Sequence, residues 1–172
     1  MLEVASTRRT EPRVTIRREL RAGDPAAIAR MHGRIYAADY GLGGSFEPDV
    51  ARELGRAVHR GWPERGGVWI VEHEDEIAGT LALIEEDEQS ARIRWFLLDC
   101  ALRGRGLGRL LLGELVAEAD AAGHGVIRLA TFSELHAAAR LYRSFGFEVV
   151  GSHYDDRWGR VLLHQDYERR RA

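Results

Sequence analysis

Ala91-Arg-Ile-Arg-Trp-Phe-Leu-Leu-Asp-Cys-Ala-Leu-Arg-Gly-Arg-Gly-Leu-Gly-Arg-Leu-Leu-Leu-Gly113 places three local signals side by side. The apolar run from Ile93 to Leu98 is typical of a buried strand. A turn with alternate glycines follows, and then a leucine-rich segment with helical spacing. The first N–H groups of a helix have no partner within it, and the helix dipole favours negative charge there. Strand, glycine turn and helix in this order can therefore bind a phosphate without a metal.

The glycine turn is predicted to hold a pyrophosphate. Its alternate glycines lack Cβ atoms, so the backbone can fold tightly and approach a ligand closely. Its arginines add positive charge around the start of the helix. We call this predicted anion site the cradle; its residues are Arg103, Gly104, Arg105, Gly106, Leu107, Gly108 and Arg109.

A glycine-rich segment between a strand and a helix can be one of three types of cradle, or a turn without a ligand. A P-loop needs Gly-Lys followed by Ser or Thr, and this chain contains no lysine. A dinucleotide fingerprint needs G-x-G-x-x-G and a later acidic residue, whereas the spacing here is G-x-G-x-G and the next predicted strand ends at neutral Thr131. The third type is Arg-Gly-x-Gly-x-Gly after a buried strand. A tight turn without a ligand is the structural alternative.

Composition narrows the class of protein. A chain of 172 residues predicts one domain with a sizeable core. A net charge of −2 gives no reason to expect a nucleic-acid partner. One cysteine excludes an internal disulfide, and the seven histidines lack H-x-x-x-H spacing, so no metal is predicted. No apolar stretch is long enough to span a membrane, and a reducing cytoplasm is the expected location.

The order of predicted elements is β-α-α-β-β-β-α-β-α-β-β. It predicts an α/β (α+β) fold with a mixed, mostly antiparallel central sheet flanked by helices. We expect a disordered lead-in over residues 1–12, a single domain over 13–167 and a charged tail over 168–172. Near the end of the domain, a turn is predicted over His153 to Asp156 and a closing strand over Trp158 to Tyr167.

The Arg-Gly-x-Gly-x-Gly pattern resembles the coenzyme A signature of the GNAT superfamily of acetyl-CoA-dependent N-acetyltransferases. The element order is similar too, and the resemblance covers about residues 13–167. In more detail, the chain resembles the acetyltransferase half of MarR-type regulator fusions. The matching stretches are His32-Gly-Arg-Ile-Tyr36, Phe46-Glu47, Leu135-His-Ala-Ala-Ala-Arg-Leu-Tyr142 and Gly146-Phe147. No winged-helix half is present in the sequence, so no DNA binding is inferred.

The resemblance implies an enzyme that transfers the acetyl group of acetyl-CoA directly to a primary amine in a ternary complex. The acceptor is a small molecule or a protein amino group, and neither a nucleic acid nor a membrane is an expected partner. A non-catalytic module that binds acetyl-CoA as a sensor is the alternative, and a nucleotide-binding domain is a third interpretation. The closing hairpin is a candidate edge for a homodimer.

The resemblance also assigns roles around the cofactor. Tyr142, within Leu141-Tyr-Arg-Ser-Phe-Gly-Phe147, corresponds to the tyrosine that faces the sulfur and is the predicted general acid. A backbone N–H at the end of the central strand corresponds to the oxyanion donor, which points to the main chain of Leu98, Asp99 and Cys100. Many family members carry asparagine where this chain has Leu135. The candidates to replace its contact with the pantetheine arm are Ser133, Glu134 and His136.

The general base is the least determined role. Glu47 is the first candidate, His32 the second and Glu85 the third, although a carboxylate such as Glu47 in a first helical turn also stabilises the helix dipole. The residues predicted to line the acceptor pocket are His32, Tyr36, Tyr40, Phe46, Glu47 and Trp158. For Cys100 we expect apolar packing rather than an acyl-enzyme role.

Overall fold

The computed structural model describes residues 13–172, in which a seven-stranded sheet carries two helices on each face. The strands are β1 Val14–Arg17, β2 Gly66–His73, β3 Glu76–Glu85, β4 Ser90–Leu98, β5 Val126–Phe132, β6 Glu148–Asp155 and β7 Leu162–Arg170. The helices are α1 Asp24–Tyr40, α2 Phe46–His59, α3 Leu107–Ala121 and α4 His136–Ser144, with a short 3₁₀ turn at Cys100–Leu102. None of these helices is long and apolar enough to cross a membrane.

The strand order in the sheet is β1-β2-β3-β4-β5-β7-β6. Strands β4 and β5 pair in parallel, and the other neighbouring pairs are antiparallel. The parallel pair is joined by α3, because a parallel connection needs a crossover. The predicted fold class and element order are therefore confirmed.

Two apolar clusters lie on opposite faces of the sheet, because alternate residues of each strand point to opposite faces. Trp69 and Val71 pack under α3 and α4, with the fully buried leucines of α3. Val68 and Ile70, the residues that alternate with them, pack under α1 and α2. The sheet is thus covered on both faces, as a parallel pair in its interior requires.

The pairing between β4 and β5 ends early. It covers three residue pairs, from Ser90 opposite Val126 to Arg92 opposite Arg128. A bulge then interrupts β4, where the register with β3 shifts and Trp95 adopts a left-handed φ of 47°. A bulge bends its strand and strengthens the local twist. Beyond it, β4 and β5 are not paired, and a cleft lies between them.

The end of the chain differs from the prediction in three boundaries. Strand β6 runs through residues 153–155, where a turn is predicted, because His153, Tyr154 and Asp155 pair with β7. Trp158 lies in the turn rather than in the closing strand. Strand β7 continues through residues 168–170 of the predicted charged tail, since these residues pair with β5 and Glu168 binds Arg128 across the strands. The predicted lead-in over 1–12 lies outside the described residues.

Candidate active site

The cleft between β4 and β5 has a volume of about 390 Å³ and separates the two apolar clusters. Phe96 and Tyr142 line it from the cluster under α3 and α4. Tyr36 and Phe46 line it from the cluster under α1 and α2. The parted strands therefore open a passage through the sheet, at which side chains from both faces meet.

A free backbone N–H group lies at the edge of this passage. The N–H of Asp99 donates to the Ala78 carbonyl of β3 at 2.7 Å. Because N–H groups along a strand alternate between its two edges, the N–H of the preceding residue, Leu98, points toward β5. The opposite stretch of β5 is not paired with β4 there. The Leu98 N–H is thus directed into the gap between the parted strands.

The predicted donor role of Asp99 does not fit this geometry, because its N–H is already bonded to β3. Its carboxylate accepts from the N–H of Ala101 at 3.2 Å and from Arg34 at 2.9 Å. These bonds lower the pKa of Asp99 and attach α1 to the end of β4. Cys100 is exposed rather than packed in an apolar site, since the 3₁₀ turn directs it to solvent.

The cradle has the backbone geometry of an anion site. Gly104 and Gly106 adopt left-handed φ angles of 73° and 78°, which favour glycine. Gly106 is the N-terminal cap of α3, with no side-chain hydrogen bond at the cap. Within residues 13–172 no hydrogen-bond acceptor serves the N–H groups of 104–109. A row of N–H donors at a helix start is therefore open to a ligand.

The arginines of the cradle differ in their contacts. Arg103 donates to the Leu98 carbonyl at 2.8 Å and to Asp39 at 3.1 Å, so it braces the end of β4 against α1. The guanidinium of Arg109 lies near Phe145. Arg105 is exposed and has no ion pair within the described part of the chain. Among the three predicted arginines, Arg105 is the one whose charge is least engaged by the protein.

Tyr142 is buried beside the cleft, with 5% of its surface exposed. Its ring packs against Phe96, Phe147 and Tyr167. Its hydroxyl has no hydrogen-bond partner among residues 13–172. Burial raises the pKa of Tyr142, so the phenol keeps its proton at neutral pH.

His32 presents a lone pair in the same cleft. Its Nδ1 lies 2.9 Å from the carbonyl oxygen of Ile28, which can only accept, so Nδ1 carries the proton. Its Nε2 is then unprotonated, and this buried atom has no partner in the described structure. Burial lowers the pKa of His32 from its usual value of 6.5 to about 4. His32 is therefore neutral at pH 7.

The other base candidates and Tyr40 lie outside this cleft. The Glu47 carboxylate lies over Gly33 of α1, where a Cβ added to the glycine would come within 2.5 Å of its Oε2. Glu85 forms an ion pair with Arg65 at 3.2 Å. Tyr40 packs against Tyr36 without lining the cleft.

The loop before α4 contributes Leu135 to the cleft, at the position where many family members carry asparagine. Glu134 is occupied by an ion pair with Arg160 at 2.7 Å. The backbone N–H of Ser133 donates to the Leu163 carbonyl, and the His136 side chain is exposed. Ser133 and His136 are therefore the two polar side chains of this loop that stay candidates for a cofactor contact.

The cleft lining also includes the predicted Trp158 and two residues that the sequence analysis does not name, Asp49 and His164. Trp158 donates its indole N–H to Asp49 at 2.8 Å, a contact that lowers the pKa of Asp49 and joins residues 109 positions apart. His164 is buried in the cleft wall, and burial lowers its pKa. The inward position of His164 in an alternating strand is a signal that could have identified it. No group of side chains in residues 13–172 could hold a metal ion.

The buried His32 is expected to make stability fall with acidity. Its pKa of about 4 in the folded state lies below the usual 6.5, so the unfolded chain binds more protons between these values. Stability due to His32 is complete above the higher value and is lost as pH falls toward the lower one. Between about pH 7.5 and about pH 5.5 we expect a loss of about 1 kcal/mol.

Urea unfolding at both pH values measures this loss. The variant His32→Asn is expected to lose this part of the pH dependence, whereas His59→Asn, at an exposed site, retains it. An unchanged pH dependence in His32→Asn would contradict the assignment of a neutral, buried imidazole.

The chain is similar in sequence to known proteins. An uncharacterized N-acetyltransferase of Escherichia coli (strain K12), YjgM, is 30% identical over 145 residues, which are 81% of this chain and 85% of that protein. An uncharacterized protein of Mycobacterium leprae (strain TN), ML0378, is 52% identical over 54 residues, or 31% of this chain. The chain spans 14% of the length of that protein.

The fold is also that of solved acetyltransferase structures. The structure of yncA from Salmonella typhimurium with its cofactor acetyl-CoA superposes with a TM-score of 0.68 at 22% identity, over 91% of this chain and 93% of that one. The model of the acetyltransferase (GNAT) family matches residues 34–147, which include the cradle, the parted strands and Tyr142. The chain therefore belongs to the GNAT family of acetyltransferases.

Proposed function

We propose that this protein transfers the acetyl group of acetyl-CoA directly to a primary amine while both substrates are bound. One observation carries the proposal: the open N–H groups of 104–109 and the free N–H of Leu98 lie at the same end of β4. If the anionic group of a ligand is bound at the cradle, the rest of that ligand can extend along the parted strands. The relative from Salmonella typhimurium, which was solved with acetyl-CoA, supports this choice of ligand.

The described residues fit coenzyme A at the cradle. Its pyrophosphate matches a row of N–H donors at a helix start, where no side chain fills the space above Gly104 and Gly106. Arg105 adds an unpaired positive charge at the same place. When bound, the cofactor supplies an acetyl thioester, so that a C–N bond to the amine forms and the C–S bond breaks.

The Leu98 N–H and the Tyr142 hydroxyl act on different atoms of the thioester, the carbonyl oxygen and the sulfur. The N–H of Leu98 donates to the carbonyl oxygen, where negative charge develops, and it is held by the strand in advance. Tyr142 gives its proton to the departing sulfur. Its raised pKa keeps the proton available at neutral pH.

His32 takes the proton that the amine loses. Among the three base candidates from the sequence, His32 is the one that lines the cleft, and its Nε2 lone pair is unpartnered. The amine nitrogen becomes much more acidic as it bonds to carbon, so a base with a pKa of about 4 can accept this proton directly or through water. The Glu47 carboxylate, over Gly33, would have to act from outside the cleft.

Three further features of this protein stay predictions. The acceptor is expected to be a primary amine of a small molecule or of a protein. The chain is also expected to resemble the acetyltransferase half of MarR-type regulator fusions and to form a homodimer.

Loss of the Tyr142 hydroxyl is expected to reduce turnover and not cofactor affinity. For Tyr142→Phe we expect kcat to fall about 100-fold, because the general acid is removed while the ring still packs. Release of free thiol from acetyl-CoA with a panel of amines measures kcat, and calorimetry measures the Kd of acetyl-CoA.

Tyr167→Phe is the matched control, since Tyr167 contacts Tyr142 in the core and does not line the cleft. Unchanged kcat in Tyr142→Phe would remove this residue from the mechanism. Tight binding of acetyl-CoA with no thiol release on any amine would favour the sensor alternative.

The base assignment is decided by comparing two variants. We expect His32→Gln to lower kcat about 100-fold, and Glu47→Gln to lower it much less, because the first removes the lone pair in the cleft. The same thiol-release assay measures both. A large loss in Glu47→Gln with a small one in His32→Gln would return the role to Glu47.

A further inference from the structure

A second cavity, of about 570 Å³, lies beside the cleft. It is bounded by α2, the loop that follows α2, the end of β3 and the middle of β4. The two spaces share four lining residues: Glu53, Arg92, Arg94 and Trp95. A molecule with its amine in the cleft can therefore extend into this second space. We call it the arginine cavity.

The arginine cavity carries an excess of positive charge. Its lining includes five arginines and three glutamates, which leaves two positive charges in excess. The arginines are Arg56, Arg60, Arg65, Arg92 and Arg94. Trp62 and Trp95, with ring centroids 5.3 Å apart, form its apolar part. This balance favours an anionic ligand that also has apolar atoms.

The glutamates are all engaged already. Glu53 forms ion pairs with Arg56 at 2.9 Å and with Arg94 at 3.6 Å. Glu85 pairs with Arg65, and Glu86 pairs with Arg92. The guanidinium of Arg60 has no carboxylate partner within residues 13–172. Among the described residues, no glutamate of the arginine cavity is therefore free to repel an anion, whereas Arg60 is free to bind one.

Arg94 shows that this charge is costly to the free protein. It is half-buried between the arginine cavity and the cleft, and its one partner in the described structure, Glu53, lies at the long distance of 3.6 Å. Burial lowers the pKa of Arg94, because desolvation disfavours its charged form. A ligand anion between Arg94 and Arg60 would remove this penalty.

We propose that the arginine cavity binds the dianionic end of the acceptor, a phosphate monoester or a pair of carboxylates, while its amine lies in the cleft. The inference rests on the proposed function and names the acceptor class. Guanidinium groups bind phosphate and carboxylate in bidentate geometry, which makes arginine the suitable residue for both. Two negative charges match the excess of two positive charges.

Kinetics with matched acceptors tests the proposal. O-phosphoethanolamine is compared with ethanolamine, L-glutamate with L-glutamine, and a short peptide with two glutamates after its free N-terminus with the same peptide carrying glutamines. We expect the anionic member to have the higher kcat/KM in at least one of these comparisons, by about tenfold, since a hydrogen-bonded charge contributes that much. The acceptor that gains most identifies the source of the anion.

The variant Arg60→Gln is expected to reduce this preference about tenfold, and Arg60→Lys to restore part of it. Arg30→Gln is the control, because Arg30 is an exposed residue of α1 outside both spaces. Equal kcat/KM for anionic and neutral acceptors, with no effect of Arg60→Gln, would overturn the proposal and leave acetyl transfer intact.

A binding measurement separates the two hypotheses. Calorimetry follows O-phosphoethanolamine and L-glutamate added to protein saturated with coenzyme A, so that the cradle is already filled. We expect one of these probes to bind, with Kd about tenfold higher in Arg60→Gln than in Arg30→Gln. Such binding without thiol release from any amine would support the arginine cavity and contradict the proposed function. Equal Kd in both variants, or no binding of either probe, would contradict the arginine cavity.

Discussion

The early end of the pairing between β4 and β5 is the constraint on which the site depends. A parallel pair inside a sheet would normally satisfy the N–H and C=O groups of both strands. Here the pairing stops at Arg92 and Arg128, after which the bulge at Trp95 bends β4. The backbone beyond the bulge keeps an open donor at Leu98. The same bend directs the chain toward the 3₁₀ turn and the start of α3, so the donor and the cradle belong to one continuous segment.

The parting of the strands also sets the electrostatics of the cleft. Because His32 and Tyr142 are buried in the cleft walls, between the two apolar clusters, their side chains are poorly solvated and are held in their neutral forms. Burial raises the pKa of Tyr142 and lowers that of His32. One side chain therefore keeps a proton to donate and the other keeps a lone pair. Beyond Glu53 and Arg94 lies the arginine cavity. Its lining side chains are mostly charged, which suits recognition of a polar acceptor.

The sequence predicts the parts of this arrangement that are local. The element order, the mixed sheet and the position of the cradle follow from apolar periodicity and glycine spacing, and all three depend on neighbouring residues. The contacts that could not be predicted join distant segments: Trp158 with Asp49, Arg103 with Asp39, and Glu53 of α2 with Arg94 of β4. The sequence predicts Asp99 among the oxyanion donors, but its N–H donates to Ala78 of β3, because strand register decides which edge an N–H faces and a sequence does not fix register around a bulge. The sequence also predicts a charged tail from residue 168, whereas strand pairing and a cross-strand ion pair between Glu168 and Arg128 keep residues 168–170 in the sheet.

Amide hydrogen exchange, resolved by residue and recorded with and without coenzyme A, tests the central claim most directly. We expect slower exchange on binding at Leu98, which β5 leaves unpaired, and at residues 104–109, whose N–H groups have no acceptor in the described free protein. Asp99 serves as the internal control, because its N–H is already bonded to Ala78 and should change little. Unchanged exchange at Leu98 and through 104–109 with the ligand bound would show that the parted end of β4 and the cradle do not hold the cofactor.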